Sequence, residues 1–128
     1  MIDKLFNNPT YAMSKAMLDV TTKRHEALAA NIANVNTPGY RRVDVSKTFT
    51  QELQNQFKAG HPEAASTQGN IVATDPDAAG ATMDGNNVHL DQELLQMGSN
   101  EMQYETLTEF VSNSLVQLKT AITGQITP

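Results

Sequence analysis

Along the last third of the chain, apolar residues recur at alternating intervals of four and three residues. They form an apolar stripe, which Leu107 widens. The repeat positions are Leu90, Leu94, Met97, Glu101, Tyr104, Thr108, Val111, Leu115, Leu118 and Ile122. All of them except Glu101 and Thr108 are apolar or Tyr. This spacing places side chains on one face of a helix. Asp91 and Glu93 suit a first helical turn, and Gly124 suits a C-terminal cap. The sequence predicts one amphipathic helix of more than thirty residues, with a weak point at Gly98.

A second stripe of this kind lies near the N-terminus. Asn8 is a good N-cap, Pro9 suits a first helical position, and Pro38 disfavours helix just before it. The sequence therefore predicts a helix over residues 9–35, with an apolar face formed by Met13, Met17, Val20, Leu28 and Ile32. Asn31 and Asn34 lie near this stripe. They indicate either fraying of the helix end or buried polar positions that fix the register of packed helices, and we favour register.

The first helix is followed by a turn signature. Asn36 leads into Thr37-Pro38-Gly39-Tyr40, in which Pro and Gly occupy the central positions of a type II turn. A short strand or extended arm is predicted over residues 41–45, and a short helix over residues 49–57, where Phe recurs at helical spacing. Residues 59–87 are rich in Gly, Pro and Ala and read as a long, flexible loop, with a brief strand at residues 70–74.

These elements predict a mainly α protein with one discontinuous domain. Residues 1–36 and 90–128 supply two long amphipathic helices paired as a coiled-coil-like core, and residues 37–89 supply the turn, the short arm and helix, and a loop-rich middle able to hold short strands. The predicted pairing residues are Met13, Met17, Val20, Leu28, Asn31, Ile32, Asn34, Leu94, Met97, Tyr104, Leu107, Val111, Leu115 and Leu118. Two helices alone leave apolar surface exposed, so we expect other chains to cover it.

Composition excludes several classes of function. The chain has 128 residues, a formal charge of −5 and no Cys, which excludes disulfide scaffolds and thiolate metal sites. Its acidity disfavours nucleic-acid binding. No stretch is long and apolar enough to span a membrane, and the N-terminus lacks the pattern of a cleaved signal peptide. Residues 1–58 carry a net charge of +3 and residues 59–128 a net charge of −8. This asymmetry indicates either a solvated acidic face or attraction between neighbouring copies.

No catalytic or metal-binding pattern is present. His25, His61 and His89 lack the spacing of a zinc site, and the acidic stretches at residues 75–77 and 84–87 are turns rather than complete calcium loops. The chain has no nucleophile elbow, phosphate loop or dinucleotide fingerprint. The sequence therefore predicts a protein that is not an enzyme and holds no cofactor or metal.

Residues 26–40, EALAANIANVNTPGY, resemble the N-terminal signature of the bacterial flagellar rod and hook family. Residues 83–94, MDGNNVHLDQEL, are similar to the entry into the last helix of the proximal rod members of that family. The resemblance covers residues 9–48 and 83–124. It implies a structural subunit, without enzymatic activity, whose N- and C-terminal helices pair and whose copies stack helically around a channel.

The resemblance also implies partners and a location. Copies of the chain, other rod proteins, and the adaptor and export-gate proteins at the base are the implied neighbours, in a basal-body rod that crosses the periplasm. The implied route is the flagellar type III system, without signal cleavage. We expect Arg41 and Arg42, which follow the turn, to contact a neighbour. The alternatives are a soluble helical adaptor or secretion chaperone, or another rod subunit of the same family.

Overall fold

The computed structural model describes residues 9–61, 70–78 and 80–124. The predicted N-cap at Asn8 and the loop residues 62–69 lie outside that part of the chain. The described elements, in chain order, are α1 (Pro9–Ala33), β1 (Val43–Val45), α2 (Lys47–Lys58), β2 (Val72–Thr74) and α3 (Leu90–Thr123). The prediction of a mainly helical chain with two long terminal helices and short central strands is confirmed.

Helices α1 and α3 pack against each other in antiparallel orientation. Asn31 contacts Glu93 at 3.1 Å, Arg24 contacts Gln96 at 2.7 Å, and the side chain of Asn100 donates to the Thr21 carbonyl at 2.9 Å. Residue numbers on α1 fall as those on α3 rise, which fixes the direction. Helix α3 is continuous through Gly98 and ends at Gly124, whose φ of 65° is that of a left-handed cap.

The two helices differ in length, and the excess lies at one end. From the contact between Thr21 and Asn100, α1 runs twelve residues back to Pro9, whereas α3 runs 23 residues on to Thr123. At 1.5 Å per residue, α3 extends about 16 Å past the described start of α1. The last three turns of α3 therefore have no α1 residue of the described chain beside them.

The short strands form a two-stranded antiparallel sheet against α1. Val43 pairs with Thr74 and Val45 with Val72. Two further backbone bonds extend the ladder, from the Ser46 N–H to the Ile71 carbonyl at 2.8 Å and from the Asp75 N–H to the Arg42 carbonyl at 2.9 Å. The sheet connects the segment after α1 to the segment that leads into α3.

The brief strand predicted at residues 70–74 forms as β2, and parts of the loop predicted over residues 59–87 are packed against the rest of the chain. Ile71, Asn86 and Asn87 are buried. The sequence offers few large apolar residues there, but β1 provides backbone hydrogen bonds and the turn after α1 provides carbonyl acceptors. Polar contacts thus order a segment whose composition could not build an apolar core.

The turn after α1 has the predicted geometry. Gly39 has a φ of 73°, and the Tyr40 N–H donates to the Thr37 carbonyl at 3.2 Å. A positive φ at the third position is the requirement of a type II turn, and Gly meets it without a steric penalty. The Gly39 N–H also donates to the Asp84 carbonyl at 2.8 Å, which fastens the turn to the segment before α3.

Candidate functional site

A buried ion-pair network lies where α1, the sheet and the start of α3 meet. At its centre is Arg42, whose side chain is only 7% exposed. Its guanidinium donates to Asp75 at 2.7 Å, to Asp44 at 3.1 Å and, through Nε, to the Glu93 carboxylate. Gln96 accepts a further bond at 2.9 Å. One arginine thus joins β1, the residue after β2 and the first turn of α3.

Glu93 is the acidic partner at the deepest point, with a side chain 1% exposed. Burial alone would lower the pKa of Arg42, but the hydrogen bond and charge of Glu93, followed by those of Asp44, outweigh it and raise that pKa. Arg42 is therefore charged inside the protein. A buried charge of this kind persists only when it is paired and hydrogen-bonded, as it is here.

Asn31 connects the network to α1 and to the edge of the sheet. Its Nδ2 donates to the Val43 carbonyl at 2.8 Å and to Glu93 at 3.1 Å, and its Oδ1 accepts from the Val43 N–H at 2.9 Å and the Tyr40 hydroxyl at 3.1 Å. Two donors and two acceptor sites are the full capacity of an amide. Asn31 therefore pairs with β1 as a strand residue would, while it contacts α3.

Tyr40 is held at the margin of this network. Burial, and then the charge of Glu93, raise the pKa of its hydroxyl. Arg24 completes the cluster by bonding to Asp44 at 3.1 Å and to Gln96 at 2.7 Å. Two guanidinium groups therefore face three carboxylates in a space enclosed by four segments of the chain.

Asn86, which lies far along the chain from α1, bonds the backbone just after the C-terminal end of that helix. Its Nδ2 lies within hydrogen-bond distance of three carbonyls, those of Asn34 at 2.8 Å, Val35 at 3.0 Å and Thr37 at 2.9 Å. These carbonyls belong to the turn residues that follow Ala33, so Asn86 ties the turn after α1 to the segment that leads into α3. Its neighbour Asn87 accepts from the Arg42 N–H at 2.6 Å. The two asparagines thus hold the turn and the arm in place.

The contacts of this network hold segments of the chain together. Within residues 9–61, 70–78 and 80–124, no group of three or more His, Asp or Glu side chains could hold a metal ion. Asp75 and Asp84 accept bonds from backbone N–H groups two residues on, as turn residues do. None of the described helices combines the length and the apolar composition that a membrane span requires. The site is a structural junction.

The structure places the predicted pairing residues at different depths. Leu28 and Asn31 are fully buried. Partly exposed are Val20, Ile32, Asn34, Met97, Leu107, Val111 and Leu118. The exposed fraction is at least 38% for Met13, Met17, Leu94, Tyr104 and Leu115. Asn34 bonds to the Ala30 carbonyl and to Thr37 rather than to α3. A single subunit thus covers only part of the predicted stripe.

A second set of apolar side chains lies outside that stripe on α3. Leu95 is 75% exposed and Met102 70%, and within the stripe Ile122 is 62% exposed. Leu95 and Met102 are seven residues apart, which puts them on one face of the helix, and Phe110 and Val116 are also exposed. Exposed apolar surface of this extent is typical of an interaction surface.

The two arginines after the turn have opposite environments. Arg41 is exposed, whereas Arg42 is buried among Glu93, Asp44 and Asp75. The expectation that Arg42 contacts a neighbouring subunit is therefore wrong, because its donors are satisfied within its own chain. Sequence reasoning also treated Glu93 as a residue of the helix dipole and gave Asn86 no role. The sequence pointed to Glu93 and Asn86 in one way alone, because both lie in residues 83–94, which resemble the flagellar rod and hook family.

Comparisons with known proteins agree with that resemblance. A family model described as Flagella basal body rod protein matches residues 20–41, which span the end of α1 and the turn. The chain is 33% identical over 136 residues to the flagellar basal body rod protein FlgB of Aeromonas hydrophila, with 96% of both chains covered. It is 30% identical to FlgB of Proteus mirabilis, over 98% of this chain and 99% of that one. With FlgB of Escherichia coli the identity is 28%, over 90% and 92% of the two chains.

Proposed function

The chain belongs to the FlgB family of flagellar basal body rod proteins, and from this premise we propose that it is a structural subunit of the proximal rod. Copies assemble helically with other axial proteins into a hollow shaft that transmits torque and conducts exported subunits. In this proposal the chain crosses to the periplasmic rod through the flagellar type III system. Its neighbours are copies of itself, other rod proteins, and the adaptor and export-gate proteins at the base.

The observation that carries the proposal is the contrast between a satisfied polar junction and uncovered apolar helix faces. The junction fixes the two helices and the arm relative to one another through side chains that are almost fully buried. The same helices expose Met13, Leu95 and Met102. A subunit that is fixed internally and apolar externally is suited to packing among many copies, in heterologous contacts that do not close into a ring.

The predicted pairing residues take two roles in this proposal. Those that are buried or partly buried, such as Leu28 and Met97, pack α1 against α3. Those that are exposed, such as Met17, Tyr104 and Leu115, are covered by neighbouring subunits. This division supports a rod subunit rather than an enzyme, because the described residues devote their buried polar groups to holding segments together.

Replacing Leu115 with Asp tests the proposal. Leu115 is 43% exposed and lies in the part of α3 that extends past the described start of α1. A carboxylate there disrupts an apolar contact between subunits, so we expect loss of incorporation into the rod and loss of motility. The matched control is Gln117→Asp, which adds the same charge at an exposed polar position of the same turn. Normal swimming by the Leu115 variant at normal protein level would contradict the proposal.

Mass spectrometry of purified hook–basal bodies tests the location directly. We expect the chain to persist after washing with detergent and high salt. Its absence while other rod proteins are found would favour an adaptor or secretion chaperone. Light scattering on dilute protein separates these outcomes, because a secretion chaperone is a dimer, whereas an unassembled rod subunit is a monomer.

A further inference from the structure

A row of exposed residues runs along the side of α3 that faces away from α1. Its members lie seven residues apart, and they are Leu95, Met102, Glu109 and Val116. Residues at this spacing lie above one another on a helix. The row that contacts α1 includes Glu93 and Asn100 and is offset by two residues, which is about 200° around the helix. The exposed row therefore points outward, and we call it the outer row.

The apolar members of the outer row are not covered by the described part of the subunit. Leu95 is 75% exposed, Met102 70% and Val116 48%. A surface helix typically has one apolar face, which packs against its own core, and a polar face toward water. Helix α3 has apolar side chains on both sides, and a second apolar face of this kind is typical of a binding surface.

Gly98 forms a notch in the outer row. It lies three residues after Leu95 and four before Met102, so it is on the same side of the helix. A side-chain carbon added there would have nothing from other parts of the described chain within 4 Å. Packing within the subunit therefore gives no reason for a glycine, which weakens a helix relative to alanine. A notch between two apolar side chains lets a second helix approach closely, because the distance between packed helices depends on the side chains at their contact.

Glu109 determines the chemistry of a partner that covers the outer row. It is exposed, and none of the ion pairs among the described residues includes it. It lies between Met102 and Val116, so a partner that covers both takes its carboxylate out of water. Such a carboxylate is unfavourable unless a cation pairs with it. Glu105, one turn earlier, adds a second exposed negative charge, and α3 has no Lys or Arg before Lys119. The partner therefore needs a Lys or Arg at this level.

The helices of the chain itself do not meet this requirement. Helix α3 is acidic, and α2 buries its central apolar residue, Leu53, within the subunit. Outside the buried junction, α1 carries two basic and two acidic residues, Lys15, Lys23, Asp19 and Glu26. Lys23 already pairs with Glu26 at 3.2 Å. The complementary surface is therefore expected on a different protein.

We infer that the outer row binds an amphipathic helix of a different protein in the rod. The apolar residues of that helix contact Leu95 and Met102, and a Lys or Arg on the same face pairs with Glu109. A helix fits because seven of its residues advance about 10.5 Å, which is also the spacing along the outer row. The charged pair fixes the register, as a single polar position does in a coiled coil. The inference rests on the proposed function and adds the chemistry of one neighbour.

Site-specific photo-cross-linking in assembled basal bodies tests the contact. A benzophenone amino acid replaces Met102, and the peptide joined to it is sequenced by mass spectrometry. We expect a product with a different protein, at a segment with apolar residues at helical spacing and a Lys or Arg within about seven residues of the attachment. The matched control places the same amino acid at Gln103, which is exposed and about 100° further around the helix. We expect about tenfold less of that product from the control.

The outcomes separate this inference from the proposed function. A product with a second copy of the chain, or with a segment that lacks a nearby Lys or Arg, overturns the inference. A Met102 variant that is present in basal bodies but yields no product also overturns it and leaves the rod assignment intact. Absence of even the wild-type chain from basal bodies contradicts the proposed function, and the inference fails with it.

Gly98→Leu gives a second test, in which folding and binding respond in opposite directions. Leucine is the better helix former and enters open space, so we expect the melting temperature of the isolated chain to stay the same or rise. Because leucine also fills the notch, we expect the amount of chain in basal bodies to fall by about tenfold or more. The matched control is Gln92→Leu, at an exposed position of α3 outside the outer row, and we expect normal incorporation. Normal incorporation of Gly98→Leu overturns the inference.

Charge reversal tests the ion pair itself. We expect Glu109→Lys to lower incorporation by about threefold or more, since it replaces attraction by repulsion. Glu52→Lys makes the same change at an exposed position of α2 and should have no such effect. Replacing the Lys or Arg of the cross-linked segment with Glu should restore incorporation of the Glu109→Lys chain. Failure of this combination to recover overturns the inference.

Discussion

The two ends of the helix pair differ in what they bury and what they expose. At the end where α1 meets the turn, Asn31, Arg42 and Glu93 are buried and hydrogen-bonded to one another or to the backbone. At the other end, α3 extends about 16 Å beyond the described start of α1 and exposes Leu115 and Ile122. One end is complete within a single subunit, and the other has apolar surface that a single subunit does not cover.

The contrast indicates how a chain of this size divides its interactions. Polar groups that are buried must find exact partners, so they are best satisfied within one chain, where the geometry is fixed before assembly. Apolar surface is less directional and tolerates neighbours that are not identical. The junction therefore holds the helices and the arm together, and in the proposed rod subunit the exposed helix faces are the surfaces that contact neighbours.

The largest effect on stability is expected from Arg42→Ala. Removing the guanidinium leaves Glu93 buried without its cationic partner, and breaking a buried pair in this way costs about 3–5 kcal/mol. The measurement is urea denaturation followed by far-UV circular dichroism. The control is Arg41→Ala at the adjacent exposed position, for which we expect a change within about 0.5 kcal/mol. If Arg42→Ala and Arg41→Ala lowered the free energy of unfolding equally, the buried ion pairs of Arg42 would not stabilise the fold.

The same pair of residues permits a sharper test. Combining Arg42→Ala with Glu93→Ala removes both charges, so neither is left buried and unpaired. We expect the double variant to lose less stability than the sum of the two single variants. Strict additivity would mean that the two side chains do not act as a pair.

The second comparison sets a buried leucine against an exposed one. Leu28 is fully buried in α1, so Leu28→Ala is expected to cost about 2–5 kcal/mol through lost contacts and a residual cavity. Leu95 is 75% exposed, so Leu95→Ala should change the free energy of unfolding of the isolated chain by less than about 0.5 kcal/mol. A large destabilisation by Leu95→Ala in dilute, unassembled protein would show that its face is covered within the subunit.

The smallest effect concerns the pH dependence at the junction. The raised pKa of Tyr40 means that the folded chain keeps this proton when the unfolded chain, with a pKa of 10.0, has lost it. This contribution of Tyr40 to the stability of the fold is complete below pH 10, and it is lost as the pH rises through the pKa that Tyr40 has in the folded chain. Tyr40→Phe should remove this part of the alkaline loss. At neutral pH it should cost about 0.5–1.5 kcal/mol, from the bond to Asn31.

Thermal unfolding between pH 8 and pH 11 measures this difference between wild type and Tyr40→Phe. An alkaline loss of stability that is the same in both proteins would contradict a role for the Tyr40 hydroxyl.

Sequence reasoning predicted the elements that depend on neighbouring residues. The helix that begins at Pro9 ends at Ala33, two residues before the predicted end, and the helix predicted over residues 49–57 forms over Lys47–Lys58. The turn at Gly39 and the cap at Gly124 follow from the left-handed conformation that glycine adopts readily. These features depend on local periodicity and backbone sterics, which any short window of the sequence contains.

The junction could not be predicted in the same way. Arg42 and Glu93 are 51 residues apart, and Asn86 is 52 residues from the Asn34 carbonyl that it bonds. Charged residues are usually exposed, so a sequence pattern gives no reason to bury Arg42 or to separate it from Arg41.

Local sequence patterns are enough to predict the two amphipathic helices and the turn between α1 and the arm, and the motif at residues 26–40 is enough to indicate a rod family. Which polar residues are buried and which apolar residues stay exposed depends on how the segments pack. Burial of a charge is favourable only when distant groups converge on it with the correct geometry. Helical periodicity contains no information about that convergence.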